Sequence, residues 1–85
     1  PVFLLRDMVV AERRLMGAEL QHVRYTLMDE AGNKLQLVAF NAADRFTIEP
    51  GEFGEVVRVN ALAELSLNEW NGLVTVQGKL LKLDN

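Results

Sequence analysis

The sequence predicts a small all-β domain, because its apolar residues recur with a period of two over most of the 85 residues. The alternation is cleanest from Val57 to Leu67, where every second residue is apolar and shares one face of a predicted strand. The pair Asn71-Gly72 follows, and these residue types tolerate the positive φ angles of a two-residue type I′ turn. We therefore predict a hairpin in which a strand from Leu73 to Gln77 returns beside the long one.

The same period predicts three strands in the first half of the chain. The first includes Phe3 to Glu12, the second His22 to Met28, and the third Leu35 to Phe40. A hairpin loop from Asp29 to Lys34 joins the second strand to the third, and its Gly32-Asn33 pair supplies the turn chemistry. On the second strand, three side chains are expected to face the core: Val23, Tyr25 and Leu27.

The connector after the third strand runs from Asn41 to Phe46 and has the composition of one short helical turn. Asn41 is its candidate N-cap, and Glu49 to Glu52 then forms a turn. In the last strand Val74 and Val76 are expected to face inward, whereas the apolar residues near its end, Leu81 and Leu83, fall on the opposite parity. We expect Gly78 to mark a bulge or bend that absorbs this slip.

Three strands, a short connector and two more strands, all read as antiparallel, fit the five-stranded OB barrel. A small open sheet and an SH3-like barrel are the structural alternatives. Closure is favoured because an open antiparallel sheet of this size would expose long unpaired edges. With 49% hydrophobic residues among 85, the chain is predicted to form one domain over residues 1–85.

The composition limits the setting and the partners. A formal net charge of −3 argues against strong nonspecific binding to nucleic acid, while leaving room for a local basic face. The apolar runs are far shorter than the roughly 20 residues of a membrane-spanning helix, so no membrane partner is expected. The lack of cysteine fits a soluble protein of the reducing cytoplasm. Because the chain starts at Pro1 without signal-sequence features, we expect an excised segment of a larger protein.

Catalysis by this segment alone is not expected. The chain has one histidine, no cysteine, no carboxylates spaced for a two-metal site and no phosphate-cradling glycine pattern. Neither a cofactor nor a metal ion nor a small-molecule ligand is therefore predicted for this segment.

An OB barrel usually binds single strands across its second and third strands, through aromatic stacking and neutralisation of backbone charge. Arg24 and His22 share one parity of the second strand, so they should project together beside Arg13 and Arg14 of the first. The candidate nucleic-acid-binding residues are Arg13, Arg14, His22, Arg24, Lys34 and Trp70.

Each candidate also has a structural interpretation. The charged residues are equally compatible with the ordinary solvent-facing groups of a stable barrel, and the same is expected of Arg58. Trp70 lies beside the tight turn, where it would stack a base, cover the barrel end or pack on a neighbouring domain. The phenylalanines are expected to act as core or loop anchors rather than as a stacking platform: Phe40, Phe46 and Phe53.

Several segments of the chain, taken in order, match a known family over nearly the whole length. They are Pro1-Val2-Phe3, Gly17, His22 to Leu27, Leu37 to Asn41, Pro50-Gly51, Leu65 to Gly72 and Val76-Gln77. Together they make the chain resemble the OB domain of RecJ, the single-strand-specific 5′-to-3′ DNA exonuclease of bacteria. The segments Ala39-Phe40-Asn41 and Asn68 to Gly72 carry most of the specificity.

The resemblance implies that the chemistry lies outside this segment. RecJ belongs to the DHH phosphoesterases, whose clustered Asp and His ligands hold Mn²⁺ or Mg²⁺, and no such cluster is present here. Two departures from the family weaken the expected grip on DNA. Family members tend to carry a basic residue just before the position of His22 and another directly after Gly72, where this chain has Gln21 and Leu73.

Two hypotheses follow. In the first, the domain is a non-catalytic module that holds or guides single-stranded DNA toward the catalytic core of the same polypeptide, during DNA repair and recombination. In the second, the acidic barrel braces the catalytic domains or docks a repair partner, with little contact to DNA.

Overall fold

The computed structural model describes residues 1–85 and contains five β-strands and no helix. The strands are β1 (Val2–Met16), β2 (His22–Met28), β3 (Lys34–Ala39), β4 (Arg58–Trp70) and β5 (Leu73–Asp84). They close into a barrel in the order β1-β2-β3-β5-β4, which confirms the predicted five-stranded OB barrel. The expectation that all pairs are antiparallel is wrong at one place, because β3 and β5 run parallel where the barrel closes. No segment is a helix of the length and apolarity that a membrane crossing requires.

The barrel interior is filled by alternate residues of every strand, as the period of two predicts. Val23, Tyr25 and Leu27 of β2 are fully buried, and so is Leu37 opposite them on β3. On β4 the predicted inward face is buried only in its first half, through Val59, Ala61 and Ala63. The small alanines let neighbouring strands and larger side chains pack closely in this narrow core.

The long strand β1 takes part in both halves of the barrel. It pairs with β4 through its first half and with β2 through its second. One register shift falls between Leu5 and Met8, and another between Val10 and Glu12. At the first shift Asp7 has a φ of 55°, and its amide donates to Asn60 Oδ1 over 2.9 Å. Such bulges bend the strand, which allows one continuous strand to pair with β4 through its first half and with β2 through its second.

The connector between β3 and β4 contains no helix, so the single helical turn predicted from Asn41 to Phe46 is not confirmed. In its first part Arg45 N and Phe46 N both donate to Ala42 O, and nearer β4 Glu55 N donates to Glu52 O. Asn41 is in the left-handed region, with a φ of 52°, so it ends β3 with a sharp change of direction. Phe46 is buried at the barrel base, as expected for a core anchor.

Gly78 has a different role from the one predicted. The slip in β5 lies at Leu81, because Leu62 pairs with Lys82 while the next β4 residue, Ala63, pairs with Leu80. Gly78 instead lies against Leu37 at the parallel junction, where an added Cβ would come within 2.4 Å of Leu37 Cδ2. The absence of a side chain at Gly78 therefore lets β3 and β5 approach closely enough to close the barrel.

The ends of β4 and β5 extend beyond the barrel as a two-stranded ribbon, residues 66–77, which we call the projecting hairpin. Its strands pair from Ser66↔Gln77 to Trp70↔Leu73, and the two turn residues have φ angles of 50° and 77°. These values confirm the predicted two-residue hairpin at Asn71-Gly72. The prediction that Val74 and Val76 face the core is wrong, since they are 60% and 55% exposed.

Candidate nucleic-acid interface

A groove of about 480 Å³ crosses the outer face of β3, between β2 and the base of the projecting hairpin. It lies where an OB barrel is expected to bind a single strand, because that face is built on β2 and β3. Its lining mixes two cations with amides and apolar side chains, among them Arg24, Gln36, Val38, Phe40, Gln77 and Lys79.

Strand register explains how residues from distant parts of the sequence meet in the groove. Arg14 of β1 lies opposite Arg24, which lies opposite Val38 of β3. Val38 is paired in turn with Lys79 of β5, and Lys79 with Glu64 of β4. Directly paired residues project from the same face of a sheet. One row across the barrel exterior therefore carries three cations and one carboxylate.

Arg24 is the cation most firmly placed in the groove. Its side chain is 26% exposed, and its nearest carboxylate is Glu12, with Nη2 and Oε1 3.8 Å apart. The Nε of Arg24 is buried and has no hydrogen-bond partner within the protein. Since buried donors are normally paired, Arg24 has hydrogen-bonding capacity that the domain alone does not satisfy.

His22 and Phe40 form an aromatic pair on the same face as Arg24. Their rings are 5.2 Å apart and meet edge to face at 73°. His22 Nδ1 accepts a hydrogen bond from the amide of Asn41 over 2.9 Å, which fixes the plane of the imidazole. Phe40 itself is 62% exposed and lines the groove, contrary to its predicted role as a core or loop anchor.

Arg13 is not brought to this face. It pairs with Tyr25, and its side chain turns toward the barrel base, where it is 11% exposed. Its guanidinium donates to the carbonyls of Phe46 and Ala43 and to Glu49 Oε1, over 3.0, 2.8 and 3.0 Å. Arg13 therefore fastens the connector between β3 and β4 onto the barrel, which is a structural role for this side chain.

Tyr25 completes the same network and is buried in the core, as predicted. Its hydroxyl accepts from Arg13 Nε over 3.2 Å and lies within donating distance of the carbonyls of Phe46 and Ile48. Burial raises the pKa of the Tyr25 hydroxyl, and the neighbouring guanidinium of Arg13 opposes that rise. The hydroxyl is thus held neutral as a hydrogen-bond donor at the barrel base.

The remaining candidates lie at the margins of the groove. Lys34 begins β3 and shares the outer face with Val38, four residues away along the strand. Trp70 is 76% exposed at the tip of the projecting hairpin, on the same face as Ser66 at the groove. Arg58 lies off the groove at the start of β4, and its Nη1 is 3.5 Å from Asp7 Oδ2.

Sequence reasoning missed Lys79 and the two amides Gln36 and Gln77 as groove residues. Gln36 and Phe40 could have been assigned to the groove from the sequence, since they share parity with Val38 on the strand predicted to form the binding face. Lys79 and Gln77 could not, because they join the groove only through the parallel pairing of β5 with β3. A non-local pairing of this kind is not encoded in local periodicity.

The fold and the position of the groove define the class of protein as an OB-fold domain. In solved structures, the chain is similar to the mitochondrial single-stranded DNA binding protein Rim1 of S. cerevisiae. One crystal form matches with a TM-score of 0.67 at 11% identity, covering 99% of this chain and 92% of Rim1. A second form matches with a TM-score of 0.55 at 13% identity, covering 98% and 89%. At these identities the similarity establishes the fold.

The family follows from the sequence comparisons. The family model described as the RecJ OB domain matches residues 1–82. The chain is also 33% identical over 72 residues to the single-stranded-DNA-specific exonuclease RecJ of Bacillus subtilis (strain 168). That match covers 84% of this chain and 8% of the relative, so the chain spans a small part of the relative's length. The chain belongs to the RecJ OB domain family.

Proposed function

We propose that this domain is a non-catalytic module that binds single-stranded DNA in the groove between the β2–β3 face and the projecting hairpin. The observation that carries the proposal is the meeting of Arg24, Lys79 and the exposed ring of Phe40 in one groove on that face. Cations for phosphates and an aromatic surface for bases are the two elements of single-strand binding by OB folds. The name of the RecJ relative and that of Rim1 both refer to single-stranded DNA, which supports the same ligand.

Within a RecJ-like 5′-to-3′ exonuclease, this module would hold or guide the strand toward a catalytic core during DNA repair and recombination. Phosphodiester hydrolysis, with its Mn²⁺ or Mg²⁺, belongs under this proposal to another part of the same polypeptide. The side chains of this domain form no group of three or more potential His, Cys, Asp or Glu ligands. Its contribution is therefore to binding and orientation of the strand.

The test is a titration of the domain with fluorescent single-stranded and duplex oligonucleotides at low and moderate salt. Fluorescence anisotropy should show a preference for the single strand, and Trp70 fluorescence should change if the strand reaches the tip of the projecting hairpin. Reversing two of the three cations of the row, with Arg14→Glu and Arg24→Glu, should lower the affinity by at least tenfold, because two groups that would pair with phosphates become repulsive.

A charge-matched control is the pair Arg6→Glu and Arg58→Glu. Both side chains are exposed, neither lines the groove, and the double change alters the net charge by the same amount. This control should retain affinity within about twofold, apart from a small long-range effect that salt screens. Equal losses in the two double variants would show that net charge, rather than the groove, determines binding.

A second candidate function, contact with another part of the parent polypeptide, is favoured by the projecting hairpin. One face of this ribbon continues the inward register of the barrel but lies outside it, and it is apolar except for Glu69, which pairs with Val74. Leu67, Val74 and Val76 on this face are 71%, 60% and 55% exposed. Clustered apolar side chains on a surface ribbon indicate a contact surface. Since the match covers only 8% of the RecJ relative, such a parent has ample additional chain to cover them.

This second function is tested in the parent polypeptide with Val74→Thr, which keeps the side-chain shape, replaces one methyl with a hydroxyl and lies outside the groove lining. If the ribbon docks on another domain, limited proteolysis near the domain should become faster, while DNA binding by the isolated domain stays unchanged. Val56→Thr supplies the matched control, because Val56 is 58% exposed in the loop before β4. Equal proteolysis of all variants would exclude the docking role.

A further inference from the structure

Phe40 is an exposed aromatic residue whose position is fixed by a contact with His22 and by the chain turn at Asn41. Its ring packs against the edge of His22 at 5.2 Å, and the imidazole is itself held by the amide of Asn41. Asn41 adopts a left-handed φ of 52°, so the chain turns sharply directly after Phe40. A ring held in this way loses little side-chain freedom when a ligand binds, which lowers the entropic cost of the contact.

The groove carries little net positive charge. Its cations are Arg24 and Lys79, and Glu64 lies opposite Lys79 in the lining. Glu12 lies 3.8 Å from Arg24 and offsets part of its charge. With three phosphate contacts at most, counting Arg14 beside the groove, counterion release accounts for a slope of log affinity against log salt no steeper than about −2.1. Charge neutralisation alone therefore gives the groove only weak affinity.

Resting on the proposed function, we infer that Phe40 stacks a nucleobase in the groove and that His22 is a positioning residue for it. Binding is then driven more by stacking on this ring than by neutralisation of phosphates. The ligand class is an unpaired nucleotide with its base turned out, of any sequence, because every base presents a π face. His22, first predicted to contact the nucleic acid, acts through Phe40 instead.

The experiment compares two 15-nucleotide probes, oligo-dT and an abasic strand that has the same number of phosphates but no bases. The domain should bind oligo-dT at least tenfold more tightly than the abasic strand at equal salt. Phe40→Ala should remove about 5- to 150-fold of the affinity for oligo-dT and leave the affinity for the abasic strand unchanged. Phe40→Trp should retain binding, and the salt slope of the unmodified domain should stay shallow.

Phe53→Ala is the matched control, since Phe53 is fully exposed in the loop before β4 and away from the groove. It should alter affinity for either probe by less than twofold. The positioning role of His22 is measured by a double-mutant cycle. His22→Ala should lower the affinity for oligo-dT several-fold in the unmodified domain and cause no further loss in Phe40→Ala.

The outcomes separate this inference from the proposed function. Equal binding of oligo-dT and the abasic strand, or full affinity of Phe40→Ala, would overturn the stacking role while leaving single-strand binding intact. Independent losses from His22→Ala and Phe40→Ala would remove the positioning role. If neither probe binds at low salt, both the groove function and the inference built on it fail.

Discussion

The barrel body and the projecting hairpin are formed in part by the same strands, yet they differ in almost every physical respect. In the body, β4 contacts β1 and β5 and buries Val59, Ala61 and Ala63. In residues 66–77 the same alternation continues through Leu67, but each strand has only the other as a neighbour. A two-stranded ribbon in water is marginally stable by itself. The difference shows that the stability of this domain resides in the body, while the ribbon presents surface.

The largest expected effect is a loss of stability, and it is measured by comparing one leucine of the body with one leucine of the projecting hairpin. Leu37→Ala removes a fully buried side chain from the centre of the barrel and should lower the free energy of unfolding by about 2–5 kcal/mol. Leu67→Ala, at a position 71% exposed on the projecting hairpin, should change it by less than about 0.5 kcal/mol. Urea unfolding followed by far-UV circular dichroism measures both. Similar losses in the two variants would mean that the ribbon packs as part of the core.

The next largest loss of stability is expected at Gly78, where the barrel body meets the projecting hairpin. Gly78→Ala places a methyl group within 2.4 Å of Leu37 Cδ2 and 3.0 Å of Gln36 O. The fully buried leucine and the β3 backbone have to yield, so we expect a loss of about 1–3 kcal/mol in unfolding free energy. Thr75→Ala on the same strand, beyond the barrel, is the control and should be nearly neutral. A neutral Gly78→Ala would show that β3 and β5 need no close approach.

How far the sequence predicts this structure differs between the same two regions. The body followed from periodicity, because inward positions such as Val23 and Leu27 have a core to fill and the pattern reports it. In the ribbon the same pattern continues through Val74 and Val76, although no core lies beneath them. Alternation specifies which residues share a face, but the point at which β4 leaves the barrel depends on where its pairing with β1 stops, at Val2 and Glu64.

The groove was predictable only where its residues lie on adjacent strands. Parity and the β1–β2 hairpin bring Arg14, His22 and Arg24 to one face, as expected. Arg13 and Arg14 were both assigned to this face because the first strand was predicted only as far as Glu12. β1 continues to Met16, so these adjacent side chains point to opposite faces, and Arg13 turns inward to carbonyls of the distant connector. Lys79 entered through a parallel pairing that no local pattern reports. Topology, rather than composition, completes the site.

The barrel base should respond to alkaline pH in a way that the projecting hairpin does not. Burial raises the pKa of Tyr25, so the folded state retains this proton at pH values where the unfolded chain releases it. The contribution of Tyr25 to stability should therefore be constant below the ordinary value of 10.0 and decline as the pH rises from there through the higher folded pKa.

Tyr25→Phe isolates this contribution. It should lower stability by about 1 kcal/mol at neutral pH, because the carbonyls of Phe46 and Ile48 lose their donor. It should also remove the alkaline decline, which urea titrations between neutral and strongly alkaline pH would detect. A decline that persists in the phenylalanine variant would assign it to other groups.

The smallest effect concerns the loop between β2 and β3, a turn of the body that contrasts with the Asn71-Gly72 turn of the projecting hairpin. Asp29 accepts from the amide and side chain of Asn33, over 2.8 and 3.1 Å, and these bonds lower the pKa of the Asp29 carboxyl. The stabilisation is present above the ordinary value of 3.8 and is lost as the pH falls through the lowered pKa. An NMR titration of the carboxyl should thus give a midpoint below 3.8, and Asn33→Ala should return it toward that value. Because both bonds lie within the loop itself, protonating the carboxyl should loosen this loop without unfolding the barrel. A loss of the whole fold at that pH would contradict the local role.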